Sequence, residues 1–412
     1  MYLTRKIKLD MDLRPELDVM RLASGQVWSD LVTNFWRVVR KKDIWLSQYT
    51  LSRWICKTDR YEGISAQSIQ GVNTQLFDAF ASWRQHRKSD HKARPPRKRK
   101  KWNKVVWNSQ GMRLKDGVLR LSRGRGVEAL GVKWEHDVVP RQAELLYYDN
   151  QYYLHCQYKV EPQKVVTGNK FAGIDLGEIH LAGVDDGTKT FLFNGRELRA
   201  KRRYQNKLKG KLQKLISRTK PCSRRRQVLV HSKNKQLKAL KNQIDDILHK
   251  TSRKLVDTLL KRGVSTLVIG DLNGIRQRIN YGKKTNQKLH QWCFSRFRRM
   301  IEYKARLLGM EVVLINEAYT SQTCPACGTR KKPKGRTYQC KSCGLEAHRD
   351  AVGAINIRKK YLDKLGIVKN PNERNSSPVV GARVSPIGIR YKTGSGCSSF
   401  HRRVTSLEVV DV

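Results

Sequence analysis

The residues whose types and spacing could do chemistry are four paired cysteines and a few isolated acids. Cys324-Pro-Ala-Cys327 is followed, twelve residues later, by Cys340-Lys-Ser-Cys343. Each C-x-x-C pair can span one side of a tetrahedral ion while the spacer forms a hairpin, which is what zinc held by four thiolates requires. Gly328 and Gly344 supply the turn after each pair. Four protein ligands close the coordination sphere, so such a centre would be structural; a redox dithiol is the competing use of the motif. The acids are Asp175, closing Phe171-Ala-Gly-Ile-Asp-Leu-Gly177; Asp271, in Gly270-Asp-Leu-Asn273; Glu317, just after Glu311-Val-Val-Leu-Ile315; and Asp350, in His348-Arg-Asp-Ala351. Converging carboxylates are what phosphodiester hydrolysis by two divalent cations, about 3.5–4 Å apart, needs: one ion activates water and the other stabilises the departing oxyanion. Taken singly, each acid could equally cap a turn or join a surface ion pair.

These side chains gain meaning from the elements that must carry them. Asp175 ends a short apolar strand that turns on glycine. Strands near 180–185 and 189–193 flank an Asp186-Gly187 turn, and a basic helical pair over 198–262 breaks around Pro221. Leu237, Leu240, Ile244, Ile247, Leu248, Leu255 and Leu259 form the apolar stripe of that pair. A strand at 265–269 then delivers Asp271, a helix spans about 287–308, and a strand at 311–315 delivers Glu317. Asp350 opens a final helix, with Ala351, Ala354 and Ile355 spaced to pack on the sheet. Three strands, a helical crossover, a strand, a helix and a strand is the element order of a ribonuclease H-like sheet, which carries its acids at the ends of its first and fourth strands.

The first part of the chain reads differently. Residues 1–12 alternate like a strand, and Pro15 opens a helical region reaching about residue 90, with Val27, Trp28, Leu31, Val32, Phe35 and Val38 at helical spacing. Paired prolines then break the run His91-Lys-Ala-Arg-Pro-Pro-Arg-Lys-Arg-Lys-Lys101, read as a solvated linker or a phosphate contact. From Trp102 to about Val160 the period is two, with hairpins predicted at Asp116-Gly117 and Asp149-Asn150. With residues 1–12 these strands suggest one small β-barrel interrupted by a helical insertion.

The chain holds 85 Lys+Arg against 35 Asp+Glu, a formal charge of +50 spread over nearly every segment. Self-repulsion on that scale points to a polyanionic partner, nucleic acid over much of the surface. No apolar run approaches the roughly 20 residues of a membrane span, and the first residues carry charge where a signal peptide needs an apolar stretch, so a soluble protein of the cytoplasm, associated with the nucleoid, is expected. Nine cysteines, four of them paired, fit a reducing compartment with one metal site rather than a disulfide framework. Residues 363–412 are rich in Ser, Gly and Pro and read as a disordered tail.

Gly173-Ile-Asp-Leu-Gly177, Tyr319-Thr-Ser-Gln-Thr-Cys-Pro-Ala-Cys-Gly328, the second cysteine pair and Asp350-x-x-x-Ala-x-Asn-Ile357 together resemble TnpB, the RNA-guided nucleases of insertion-sequence transposons and ancestors of the type V CRISPR effectors. The resemblance implies an α+β multidomain fold: a wedge β-barrel (1–12 and 102–168) holding a helical recognition insertion and basic linker (13–101), then a RuvC nuclease domain (169–318 and 346–362) with an inserted zinc ribbon (319–345). It implies a prokaryotic source, a guide RNA from the transposon end as partner, double-stranded DNA cut beside a short target-adjacent motif, two Mg²⁺ ions, a structural Zn²⁺, and one or two chains on each RNA. Asp175 matches the family's first catalytic acid and Asp350 its last. The middle acid departs, because Gly270 stands where the common pattern has glutamate. The family includes variants with a rearranged acid, so Glu317 is expected as the third ligand in preference to Asp271. A DDE-type transposase using Asp175, Asp271 and a later glutamate, and an RNA-guided DNA binder with a decayed site, are the alternatives.

Overall fold

The computed structural model describes residues 1–56, 61–99, 101–166, 168–275, 280–333 and 335–367. The chain divides into two compact units, Met1–Glu161 and a second beginning at Pro162. In the first, β1 (Tyr2–Lys8) is followed by helices α1 (Arg14–Lys42), α2 (Gln48–Ile55) and α3 (Ala66–Ser89). Pro15 lies in the first turn of α1, where a missing N–H costs nothing, and Asp43 ends the helix in the left-handed conformation. Ser47 and Ser65 cap α2 and α3 by accepting the N–H groups of Thr50 and Ser68.

Six strands follow: β2 (Val105–Asn108), β3 (Met112–Lys115), β4 (Val118–Leu121), β5 (Leu130–Lys133), β6 (Gln142–Tyr148) and β7 (Gln151–Lys159). Both predicted hairpins form. Asp116 and Gly117 each have positive φ, as do Asp149 and Asn150, the conformation a two-residue hairpin demands. The strands make two hydrogen-bonded sheets, β1-β7-β6-β2 and β3-β4-β5, where the sequence suggested one barrel. Helices and strands share one core: Trp28, Phe35 and Phe80 belong to the same buried cluster as Trp107, Tyr152 and Leu154.

The proline-containing basic run is not a solvated linker. Trp83 Nε1 donates to Ala93 O (3.0 Å), Trp28 Nε1 to Arg97 O (2.8 Å) and Ser29 Oγ to Arg99 O (3.0 Å), so its backbone is fastened to α1 and α3.

The second unit is built on β8 (Phe171–Asp175), β9 (His180–Asp185) and β10 (Thr190–Asn194), then α4 (Arg196–Ser217) and α5 (Arg224–Lys261), β11 (Thr266–Asp271), α6 (Lys283–Gln291), α7 (Phe294–Leu307) and β12 (Glu311–Asn316). The expected helix at 287–308 is two helices, interrupted at Trp292 and Cys293. The five strands form one sheet in the order β10-β9-β8-β11-β12, with β8, β11 and β12 parallel and the β8–β9–β10 meander antiparallel. Strand alternation divides the side chains between two layers. Ala172, Ile174, Leu267 and Ile269 enter the core with α5 and α7, while Val268 turns to the opposite face with Ile315 and Ile357.

That opposite face receives α8 (Arg349–Lys364), which follows the short hairpin of β13 (Thr337–Gln339) and β14 (Glu346–His348). The helix lies unusually close to the sheet. A Cβ at Gly173 would stand 2.2 Å from Ala354 O, and one at Gly183 would stand 2.4 Å from Asp350 O. Only glycine permits that backbone approach, and the approach carries Asp350 to the ends of β8 and β9. Arg358 Nε donates to Asp185 Oδ2 (2.7 Å) and fixes the helix lengthwise. The proposed disordered tail falls mostly on residues 368–412, outside the described residues. Gly173→Ala should therefore push α8 off the sheet at a cost of about 1–3 kcal/mol, as overpacking does, and lower the thermal midpoint; an unchanged midpoint would contradict the flush packing.

Candidate active site

Each acid comes to the site from the end of an element. Asp175 is the last residue of β8, Asp271 the last of β11, and Glu317 directly follows β12, in which Asn316 pairs with Asp271. Asp350 occupies the first turn of α8, where His348 Nδ1 accepts its backbone N–H (3.1 Å). Asp175 is buried with the charges of both Glu317 and Asp350 acting on it. Burial, then the charges of Glu317 and Asp350, push the Asp175 carboxyl up to about 8. Burial and the Asp271 charge push Glu317 up to about 7. For Asp350, burial alone would raise the value, but the His180 hydrogen bond and the cationic groups around it outweigh that and hold the carboxyl below its ordinary range.

Glu317 is fixed through its backbone. Its carbonyl accepts Thr320 N–H (3.1 Å) and Thr320 Oγ1 (2.8 Å), and Lys360 Nζ on α8 donates to the carbonyl of neighbouring Asn316 (2.7 Å). Its Oε2 is buried without a hydrogen-bond partner. A buried oxygen left unmatched is costly and points to a cation. The glycine at 270 explains how Glu317 fits: a Cβ there would stand 2.6 Å from Glu317 Oε2 and 3.2 Å from Glu317 Cβ. A side chain at 270 would enter the volume that the Glu317 carboxylate now fills, so Glu317 could not keep its present position beside it.

Asp271 is used differently. Its Oδ1 accepts Arg298 Nη1 (2.9 Å) and Asn273 N–H (3.0 Å), and its Oδ2 accepts Asn273 Nδ2 (3.1 Å). Both oxygens are committed to the turn and to α7. It acts on the cluster through charge alone, by raising Glu317.

Sequence reasoning missed His180. This buried side chain opens β9 and its Nδ1 lies 2.8 Å from Asp350 Oδ2, donating to the carboxylate. Its ring meets the edge of His348 at 4.7 Å between centroids. His180 thus holds one carboxylate oxygen of Asp350, while His348 holds its backbone N–H. A histidine heading the otherwise apolar run Leu181-Ala-Gly-Val184 was the available signal.

The four cysteines converge as their spacing predicts. Cys324 Sγ lies 3.6 Å from Cys343 Sγ, Cys327 Sγ lies 3.5 Å from Cys340 Sγ, and the four sulfurs fall within 4.8 Å of one another. Tetrahedral Zn–S bonds of about 2.3 Å imply S···S separations near 3.8 Å, so the donor set fits one such ion. The two loops are built alike: Gly328 and Gly344 N–H return to Cys324 O and Cys340 O (both 3.0 Å), each with positive φ. Asn356 ties this module to α8, since its Nδ2 donates to Thr320 O and Thr323 O (both 2.7 Å). The asparagine of the sequence motif is thus a strut between the cysteine module and the helix carrying Asp350.

The raised Asp175 value has a stability consequence. In the folded chain without metal the carboxyl holds its proton up to about 8, against an ordinary 3.8. Stability from this group is complete below the ordinary value and is lost as pH rises through 8. Metal-free protein should melt at falling temperature from pH 6 to 9. Asp175→Asn should match wild type at pH 4 and melt higher at pH 9, by about 3 °C or more. Identical melting at pH 9 would contradict the burial of a strained charge.

Two family models match the chain, one described as a probable transposase over residues 155–276 and one as the TNB domain of Cas12f1-like proteins over 294–357. A TnpB-like protein of Methanocaldococcus jannaschii is 38% identical over 133 residues, covering 32% of this chain and 47% of that protein. The CRISPR-associated endodeoxyribonuclease Cas12f1 of Sulfoacidibacillus thermotolerans is 27% identical over 270 residues, covering 62% of this chain and 61% of that one. The chain thus spans less than two thirds of the length of these relatives. Among solved structures, the mini-RNA-guided endonuclease CRISPR-Cas_phi3 aligns over 90% of this chain and 93% of its own, at 10% identity and a TM-score of 0.46. The transposase match runs from β7 past the Asp271 turn, the TNB match takes in Glu317, the cysteines and Asp350, and TnpB-like proteins are among the relatives; over these segments the chain is similar to the TnpB family.

Proposed function

We propose that this protein is an RNA-guided DNA endonuclease of transposon origin that hydrolyses phosphodiester bonds at Asp175, Glu317 and Asp350. The observation that carries the reading is the placement of Asp175 beside the charges of Glu317 and Asp350, with Asp175 and Glu317 raised mainly by burial and one Glu317 oxygen buried and unmatched. Such a group is complete only with divalent cations, and all-oxygen donors suit Mg²⁺. Bound there, two such ions would supply an activated water and charge stabilisation for the departing oxygen. Asp175 and Glu317 would give up their carboxyl protons on binding such ions, His180 would hold Asp350 by one oxygen, and Gly270 leaves room for Glu317. The four cysteines would hold one structural Zn²⁺, which would keep the segment between β12 and α8 in register.

The remaining parts of the reading rest on charge and kinship. Relatives include a protein named as a CRISPR-associated endodeoxyribonuclease. The +50 charge suits a guide RNA and a double-stranded DNA target, with sequence choice left to base pairing beside a short target-adjacent motif. The wedge, recognition insertion, RuvC domain and zinc ribbon then follow the boundaries drawn from the sequence, the wedge strands forming two sheets. None of the described helices is long and apolar enough to cross a membrane. A DDE-type transposase has less support, since Asp271, its second acid, spends both oxygens on Arg298 and Asn273. A decayed, binding-only site is opposed by Glu317 filling the space that Gly270 leaves.

The protein purified with RNA co-expressed from its own element should linearise plasmids from a randomised-flank library in Mg²⁺. Glu317→Gln should reduce cutting by at least about a hundredfold while RNA still copurifies. Asp271→Asn should retain measurable cutting. Binding without cutting by wild type would sink the nuclease reading, and joined strands would point to the transposase. Elemental analysis should find one zinc per chain; Cys324→Ser should lose it and lower the thermal midpoint. A zinc-free, fully active wild type would contradict the structural role.

A further inference from the structure

A groove of about 850 Å³ runs along the first unit between the C-terminal half of α1 and the fastened segment around Pro95 and Pro96. Its floor is apolar and partly open: Trp36, Val39 and both prolines are half-buried, with Trp36 set among Phe35, Phe80 and Trp83. Its rim carries exposed Arg37, Arg40, Lys41, Arg97 and Lys98. No carboxylate lines it, and among the described residues no ion pair joins any of these five to an acid.

Two facts make this a built site rather than a solvated face. The far wall is held by side-chain bonds from Trp28 Nε1 and Ser29 Oγ to the carbonyls of Arg97 and Arg99, so the backbone carrying Arg97 and Lys98 is held against α1. A Cβ at Gly25 would stand 2.1 Å from Lys101 O, so the glycine lets the segment lie directly on the helix. Five like charges around one groove repel one another and are relieved only by a multiply charged anion. The floor asks in addition for a flat, apolar group. A nucleotide supplies both, a base against Trp36 and the prolines and phosphates for the rim; a groove of this volume takes one or two nucleotides and excludes a duplex.

Thr33 selects among nucleic acids. It lines the groove, and its hydroxyl proton is already given to Ser29 O (2.7 Å), so toward the groove it can only accept. A ribose 2′-OH is a donor of the right kind, and deoxyribose has none. We propose that this groove binds an unpaired stretch of RNA, base inward and backbone along the cationic rim. The inference rests on the RNA-guided reading for RNA as the partner and adds where on the first unit a single strand is held.

The test uses the full chain and a short unstructured RNA carrying 4-thiouridine, with crosslinks located by mass spectrometry. Crosslinks should fall within 32–41 and 95–98 as well as elsewhere on the basic surface. Arg40→Gln with Lys98→Gln should reduce groove crosslinks about tenfold, leave the others, and lower the salt slope of binding by about 1.4, as loss of two phosphate contacts to a single strand requires. Thr33→Val, nearly isosteric, should bring the RNA signal in the groove down to that of a DNA of equal sequence carrying 4-thiothymidine, with the melting temperature unchanged. Crosslinks elsewhere with none in the groove would overturn the inference alone, and no RNA crosslinks anywhere would overturn the RNA-guided reading with it. Equal DNA and RNA crosslinking in the wild-type groove, or displacement of the RNA from it by poly-glutamate at lower concentration than by unlabelled RNA, would overturn the choice of ligand.

Discussion

The second unit depends on one constraint: the Asp175 carboxylate must be held in a buried position with the charges of Glu317 and Asp350 acting on it. The flush seating of α8 on β8 and β9 does this. Gly173 and Gly183 remove the side chains that would hold the helix away, and a Cβ at Gly353 on the helix itself would stand 2.2 Å from Asp175 Oδ2. Without these glycines Asp350 could not reach the end of β8. The cost of burial, with the neighbouring charges added to it, appears as carboxyls raised to about 8 and about 7. Desolvated like charges are among the most expensive groups a fold can hold unpaired.

The supporting parts follow from that constraint. His180 takes one oxygen of Asp350 and so fixes the direction of the other. Asn356 and Lys359 brace the cysteine module against α8, through the carbonyls of Thr320, Thr323 and Pro325, so an ion among the sulfurs and the position of Glu317 are mechanically linked. Lys360 closes the same circuit at Asn316. Strand end, cysteine module and helix thus form one closed loop around the acids, and a disturbance at any member is expected to reach the others.

Much of this was legible in the sequence where local chemistry dictates the outcome. Asp116-Gly117 and Asp149-Asn150 announce their hairpins because few other residue pairs accept positive φ twice. The C-x-x-C spacing announces the sulfur cluster because geometry allows little else. The placement of Asp175, Glu317 and Asp350 at element ends was visible too, but the close approach of residue 270 to Glu317 was not, because it is made by two adjacent strands. His180 and Arg298 were illegible because their partners lie 170 and 27 residues away. The anchoring of the basic run at 91–101 was not legible for a related reason, since composition does not show that Trp28, on a helix far back in the chain, and Trp83 hold its backbone. The break at Trp292 and Cys293 left the apolar period unchanged, so one helix was expected where two exist.

The central claim is that Glu317 supplies the carboxylate that a residue at 270 would otherwise supply, in the same volume and for the same cations. The most direct measurement is divalent-cation binding, followed by calorimetry with Mn²⁺, in Glu317→Gly and in the exchange variant Gly270→Glu with Glu317→Gly. The account predicts that the single variant loses binding and the exchange variant regains it. Undiminished binding in Glu317→Gly, or an exchange variant that folds yet stays as weak as the single one, would contradict it.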